Sequence, residues 1–411
     1  MIRTGTLMFL GLTLALVAGA CSDDEEAPAG PSGGKGGTAG SAGRGGSGGS
    51  AGSAGTSGRG GSGGTAGTTG TGGTGTGGTA GSAGTGGTAG DGGTETPAQR
   101  GEYLVKHVAA CPDCHTPRKA DGSPDTTKFL AGSPVFADLD PADTSIGAIG
   151  TPNLTDDDAT GLGTWTDAQI KRAFLDGIKK DGTPLFPIMP YYVLHNMSAA
   201  DADAIVAYLR TVPAVNNAIP ARQQLPFPFT QPAAPVPATS LPNTTLASTD
   251  AKYASAQRGK YLAANVGVCM ECHSPESAPG TPVPIDVAKL FLGKREFTRA
   301  QLGLPPVFPA SIFSRNLTPH ANGIANWTPT DVRNALKNGS DKAGIPLCPP
   351  MPAGPMQAFG GLTDQDALDI GQYLTTLAPA DNGVIANCSP PPPPDASGDG
   401  AGGTSNDASA D

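Results

Sequence analysis

Two five-residue runs carry the most specific chemistry in the chain: Cys111-Pro112-Asp113-Cys114-His115 and Cys269-Met270-Glu271-Cys272-His273. A CxxCH run on one helical turn sets two thiols where each can form a thioether with a haem vinyl group, while the adjacent imidazole reaches the iron as proximal ligand. Zinc and thioredoxin-type sites also use CxxC. Tetrahedral zinc would require the two pairs to converge, whereas both runs occupy the same place in an internal repeat, which favours one haem for each. A six-coordinate electron carrier needs a second axial ligand, and a methionine thioether raises the potential by favouring ferrous iron. Met189, in the Pro-stiffened loop Phe186-Pro187-Ile188-Met189-Pro190-Tyr191, and Met351, in Pro349-Pro350-Met351-Pro352, are the expected distal ligands. Met197 or His195 is the alternative to the first, and Met356 or Cys348 to the second; Met197 also has the place of a hydrophobic staple ahead of a helix cap. Asn153, Trp165, Asn316 and Trp327 are polar-tipped residues suited to haem propionates or to ordinary core and turn duty. His107 and His320 carry no signal beyond surface or packing roles.

The elements that must position these groups are written twice. Arg100-Gly101-Glu102-Tyr103-Leu104 matches Arg258-Gly259-Lys260-Tyr261-Leu262, each eleven residues ahead of the first cysteine of a CxxCH. Asn153-Leu154-Thr155 matches Asn316-Leu317-Thr318, Trp165-Thr166 matches Trp327-Thr328, and Met189-Pro190 matches Met351-Pro352, with offsets between 158 and 163. After Trp165, the run Thr166-Asp167-Ala168-Gln169 is a capping box followed by Ile170, Ala173, Phe174 and Gly177 at helical spacing. Its counterpart runs from Thr328 through Val332, Ala335, Leu336 and Gly339. A further helix is expected from Ser198 to Leu209 and from Thr363 to Leu374. Sustained period-two alternation is absent, so an all-α fold of about three helices per repeat is expected.

The rest of the chain reads as leader, tether, linker and tail. Residues 1–20 have the charged, apolar and small-residue order of a secretory leader, and Cys21 follows the small residues as in a bacterial lipoprotein. Residues 21–96 are almost wholly Gly, Ser, Thr and Ala, a composition that cannot bury enough apolar surface to offset chain entropy. Residues 97–215 and 250–380 are the two repeats, 216–249 a Pro-rich linker, and 381–411 a mostly disordered acidic tail. Of the 7 cysteines, Cys21 takes lipid and four form the CxxC pairs, leaving Cys348 and Cys388 for a disulfide in an oxidising compartment. The net charge of −10 disfavours nucleic acid as a partner.

Asn-Leu-Thr, then Trp-Thr, a helix ending in Gly, Met-Pro and a closing helix ending Tyr-Leu together resemble the class I c-type cytochrome domain. The pattern is similar in particular to the cytochrome c subunits of bacterial membrane-bound alcohol, aldehyde and gluconate dehydrogenases. Over about residues 97–380, the resemblance implies two tandem cytochrome c domains, two covalently bound haem c groups, and axial pairs His115 with Met189 and His273 with Met351. Those subunits commonly have three haem domains and lack the long tether and Cys348. An electron carrier is the leading expectation, exported and lipid-anchored on the periplasmic side, with the outer membrane favoured. Its partners would be a redox donor, such as a dehydrogenase, and a respiratory acceptor. The competing expectation is a dihaem redox enzyme of thiosulfate dehydrogenase-like or peroxidase-like type, with Cys348 or an open position at one iron. No nucleotide-binding glycine pattern or nucleophile constellation supplies substrate chemistry.

Overall fold

The computed structural model describes residues 95–138, 148–220, 230–278, 280–299, 306–352, 356–385 and 388. The expected leader, Cys21 and nearly all of the tether lie outside these residues, as does the tail beyond Cys388.

Helix α1 (Pro97–Tyr103) starts at a capping box in which Thr96 and Gln99 satisfy each other's backbone N–H groups. The chain widens into a π-helical turn, Leu104–Val108, and then enters α2 (Cys111–His115), which carries the first CxxCH. Strands β1 (Ser133–Asp138) and β2 (Ala148–Thr151) form an antiparallel ribbon. Helix α3 (Asp167–Asp176) begins at the Thr166–Gln169 capping box and stops at left-handed Gly177. The short α4 (Tyr191–Leu194) follows Met189-Pro190, and α5 (Ala199–Leu209) closes the half.

The second half repeats this order. Helix α6 (Tyr253–Tyr261) runs into a π-helical turn, Leu262–Val266, and then α7 (Cys269–Cys272). A ribbon of β3 (Glu296–Thr298) and β4 (Ser311–Phe313) is followed by α8 (Pro329–Asn338) and α9 (Asp364–Leu374). The two ribbons correct the all-α expectation. Three to six residues per strand is too short a run for alternation to stand out in the sequence.

Within each half the first helix crosses the last at a glycine. A Cβ on Gly101 would lie 1.8 Å from the Ala204 carbonyl oxygen, and one on Gly259 would lie 1.8 Å from that of Asp369. Neither neighbour is a flexible side-chain tip, so the helices would have to part. Gly259→Ala is therefore expected to destabilise the protein by about 3 kcal/mol or slightly more, the upper end of overpacking costs, read as a lower thermal midpoint.

The described residues of the proline-rich linker, 216–220 and 230–249, include several that are hydrogen-bonded to the two halves. Asn217 Nδ2 donates to the Ala131 and Gly132 carbonyls at 2.9 and 3.2 Å. Val236 is buried and its amide donates to Tyr192 O at 2.9 Å, while Tyr373 Oη donates to Pro242 O at 2.8 Å. The tail likewise begins inside the second half: Asn322 Nδ2 donates to Asp381 Oδ1 at 2.7 Å, and Cys388 is disulfide-bonded to Cys348. A proline-rich composition is that of a spacer, but hydrogen bonds from neighbouring elements fix these stretches as straps.

The halves meet by reciprocal contacts. Tyr103 Oη donates to Asp366 Oδ2 at 2.6 Å and accepts from the Thr363 amide at 3.2 Å. Tyr261 Oη donates to Asp201 Oδ2 at 2.6 Å and accepts from the Ser198 amide at 3.2 Å. Each aspartate is held by the arginine of its own half: Arg100 Nε lies 2.9 Å from Asp201 Oδ1, and Arg258 Nε lies 2.8 Å from Asp366 Oδ1. The motif Arg-Gly-x-Tyr-Leu thus uses its arginine inward and its tyrosine outward, the isologous pattern of a two-fold interface. One hydrophobic core runs through both halves.

Candidate haem-attachment sites

Helix α2 sets Cys111, Cys114 and His115 on one turn, and loops on either side anchor it. Thr151 Oγ1 donates to Cys114 O at 2.7 Å, and the Gly132 amide donates to His115 O at 2.7 Å. His115 is 4% exposed, and its Nδ1 donates to the Pro152 carbonyl at 2.9 Å. That bond fixes the tautomer and leaves Nε2 with a free lone pair, the arrangement expected of a metal-ligating imidazole. Burial pulls the His115 pKa down and so favours the neutral ring, while the hydrogen bond to Pro152 opposes that shift. In the second half, the Gly293 amide donates to His273 O at 2.7 Å and His273 Nδ1 donates to Arg315 O at 2.8 Å. Its pKa is lowered by burial in the same way.

The four CxxC sulfurs are unpaired. Burial pushes the thiols of Cys111, Cys114 and Cys272 up to about 12 and that of Cys269 to about 11. Among the described residues, no cluster of three or more His, Cys, Asp or Glu is placed to hold a metal ion.

All four of these cysteines, both histidines, Met189 and Met351 line one continuous cavity of about 2630 Å³. Pockets for a single small ligand hold about 300–1,000 Å³, so this space suits more than one large, mainly apolar group. Apolar side chains such as Ile170, Leu209, Leu336 and Leu374 face it from the two halves. The donor set, the neutral imidazoles and the apolar lining fit a haem, with Cys111, Cys114, His115 and Met189 available to hold one and Cys269, Cys272, His273 and Met351 another.

The alternatives to the methionines are placed elsewhere. Met197 is buried in the core and does not line the cavity. His195 is half exposed, with Nδ1 3.1 Å from Leu175 O and 3.2 Å from Asp176 Oδ1. Met356 also lies off the cavity, and its amide donates to Asp113 Oδ1 at 2.9 Å. Cys348 does line the cavity, but its sulfur is bonded to Cys388.

Both asparagines make turn hydrogen bonds. Asn153 Nδ2 donates to Thr160 Oγ1 at 3.0 Å and Val215 O at 2.8 Å, while Oδ1 accepts from the Thr155 amide at 2.9 Å and its hydroxyl at 2.8 Å. Asn316 is used alike: Nδ2 donates to Ala380 O at 2.8 Å, and Oδ1 accepts from the Thr318 amide and hydroxyl, both at 2.8 Å. Each is a turn staple that ties the start of its loop to the end of its half. Both donors of the Asn153 amide are spent on protein, so none is left for a propionate. Trp165 and Trp327 line the cavity, and their indoles have no hydrogen-bond partner among the described residues.

Two features beside the CxxCH runs carry no sequence signal. Arg295 is nearly buried, with Nη1 3.0 Å from Glu271 Oε1 and 3.2 Å from Glu271 O, and Tyr192 Oη donates to the same carboxylate. The homologous amide bonds, Ser133 N to Thr151 Oγ1 and Arg295 N to Ser314 Oγ, put Ser133 where the second half has Arg295. Asp113, at the place of Glu271, accepts from Met356 N and leaves Oδ2 buried without a partner. Burial raises its pKa to about 6. His107 Nδ1 donates to Ala358 O at 3.1 Å and so joins the halves.

Comparison with known proteins agrees with this geometry. Residues 98–213 match the cytochrome c family. The chain is similar to the fructose dehydrogenase cytochrome subunit of Gluconobacter japonicus, at 29% identity over 70% of this chain and 54% of that one. It is also similar to the gluconate 2-dehydrogenase cytochrome c subunit of Pantoea cypripedii, at 25% identity over 69% of this chain and 60% of that one. A dihaem c-type cytochrome of Cereibacter sphaeroides is 26% identical over 67% of this chain and 84% of its own length. The chain thus spans only part of the dehydrogenase subunits it matches. A cytochrome c domain implies covalently bound haem c and electron transfer. Residues 98–213 match the cytochrome c family, and about 70% of the chain resembles the cytochrome c subunits of bacterial dehydrogenases.

Proposed function

We propose that the chain is a dihaem electron carrier, with one cytochrome c domain in each half, that takes electrons from a dehydrogenase and passes them to a respiratory acceptor. The observation that carries this reading is the single cavity lined by two CxxCH runs and two Met-Pro loops. Haem supplies a one-electron ferric–ferrous couple when bound. The chain's own residues do the rest: the Pro152 and Arg315 carbonyls orient the two proximal imidazoles, and the apolar lining excludes water and holds the sites in a low dielectric. Met189 and Met351 are the distal ligands in this reading, and Trp165 and Trp327 the propionate donors. A thiolate-ligated enzymatic site is not favoured, because Cys348 is held in the disulfide.

Export through the 1–20 leader and acylation at Cys21 belong to the same proposal. They would leave the folded part on the periplasmic side, outer membrane favoured, on a tether of some 75 residues whose root-mean-square reach is roughly 45 to 50 Å. That reach lets an anchored carrier meet its redox partners without leaving the membrane.

The test is spectroscopic. The purified ferric protein is expected to show the methionine-to-iron charge-transfer feature for both haems by magnetic circular dichroism, and neither haem should bind added carbon monoxide or cyanide. One five-coordinate, thiolate-ligated or ligand-accepting haem would overturn the carrier reading.

A further inference from the structure

The reciprocal tyrosines sit where they can do more than join two halves. Tyr103 is followed at once by the π-helical turn Leu104–Val108, which leads to α2, and Tyr261 by the turn Leu262–Val266, which leads to α7. Fixing each hydroxyl on the opposite half therefore fixes the start of the segment that delivers each CxxCH. The two delivery segments also touch. A Cβ built on Gly267 would lie 3.6 Å from Val108 O of the first half and 3.5 Å from Cys269 Sγ of the second.

The acidic residue inside each CxxCH reaches across as well: Asp113 to the Met356 amide, and Glu271 to the Tyr192 hydroxyl. The attachment sites therefore abut at their cysteine-bearing edges.

We propose that Tyr103 and Tyr261 are positioning residues that hold the two attachment sites at a fixed, short separation, so that electrons exchange directly between the haems across the cysteine-bearing edges. This rests on the dihaem reading. The step is a single electron leaving a ferrous iron in one half and reducing a ferric iron in the other, with no bond made and no proton moved. Tunnelling falls exponentially with separation, so a device that fixes the gap fixes the rate. A tyrosine hydroxyl donating at 2.6 Å to an arginine-paired aspartate suits that duty, because such a hydrogen bond is short and directional.

The experiment uses the full, haem-loaded chain and compares it with Tyr103→Phe, Tyr261→Phe and the double variant. Haem and iron per chain are counted, and circular dichroism in the Soret region is recorded for the reduced protein, where two nearby haems give a bisignate, exciton-coupled band. The rate of internal electron exchange is measured after a laser flash injects one electron into the oxidised protein from an added photoreductant. The expected result is two haems per chain throughout, a clear couplet in the parent, a weaker one in each single variant, and its loss with slower exchange in the double variant. Phenylalanine keeps the ring, so the single variants preserve the test if the double one does not fold. Two haems without a couplet in the parent, or a couplet and rate unchanged by the substitutions, would overturn the inference while leaving the dihaem reading intact. One haem per chain would overturn both.

Discussion

Replacing Asp366 with alanine is expected to cost about 3–5 kcal/mol, the penalty for removing one partner of a buried ion pair. Asp366 is 2% exposed and accepts from Arg258 Nε at 2.8 Å and Tyr103 Oη at 2.6 Å. Without it, the guanidinium keeps only the longer contact to Asp369 Oδ2 at 3.3 Å, and the tyrosine hydroxyl loses its acceptor at the junction of the halves. In a folded region of this size the loss corresponds to roughly 6 to 20 °C in the thermal midpoint. Asp364 is the control: it sits in the same helix and bridges Arg333 and Lys337, but its side chain is 60% exposed. Asp364→Ala should leave the thermal midpoint nearly unchanged, because solvent screens an exposed ion pair. Denaturant titration of the haem-loaded protein measures both, and equal losses for the two variants would show that the buried network is not the stronger one.

The second large effect concerns cofactor content. The double substitution Cys269→Ser and Cys272→Ser removes both sulfurs that could form thioethers in the second half, and is expected to lower covalently bound haem to about half of the parent value. The measure is haem absorbance per chain after acid–acetone extraction, which removes haem not held by thioethers. Cys348→Ser is the contrasting variant, because its sulfur is committed to Cys388 and should not alter the covalent haem count. Full haem retention in the first variant would mean that the second CxxCH does not attach one.

Local signals in the sequence go far with the helices and little further. The capping boxes at Thr166 and Thr328 are complete within four residues, so their helices are legible from nearest-neighbour chemistry. The repeat likewise puts both CxxCH runs and both Met-Pro loops in equivalent positions. The Tyr103–Asp366 bond joins residues 263 apart, and no short-range rule indicates that the tyrosine of a repeated motif leaves its own half. Asn153 and Asn316 are ambiguous in sequence because a buried amide can serve a turn or a propionate equally well, and their acceptors Val215 and Ala380 lie 62 and 64 residues away. The burial of Arg295 beside α7 is hidden for the same reason: its partner Glu271 is adjacent in space and distant in sequence.

The exchange of tyrosines has a consequence for how the two sites can diverge. Two identical subunits meeting across this surface would be obliged to present identical surroundings to each centre, and identical centres share electrons without preference. A single chain written twice is free of that obligation. Position by position, serine stands at 133 against arginine at 295, and a carboxyl with one unpartnered oxygen at Asp113 against an arginine-paired one at Glu271. Ancestral symmetry can thus supply the closeness of the centres, and later inequality between the copies a direction.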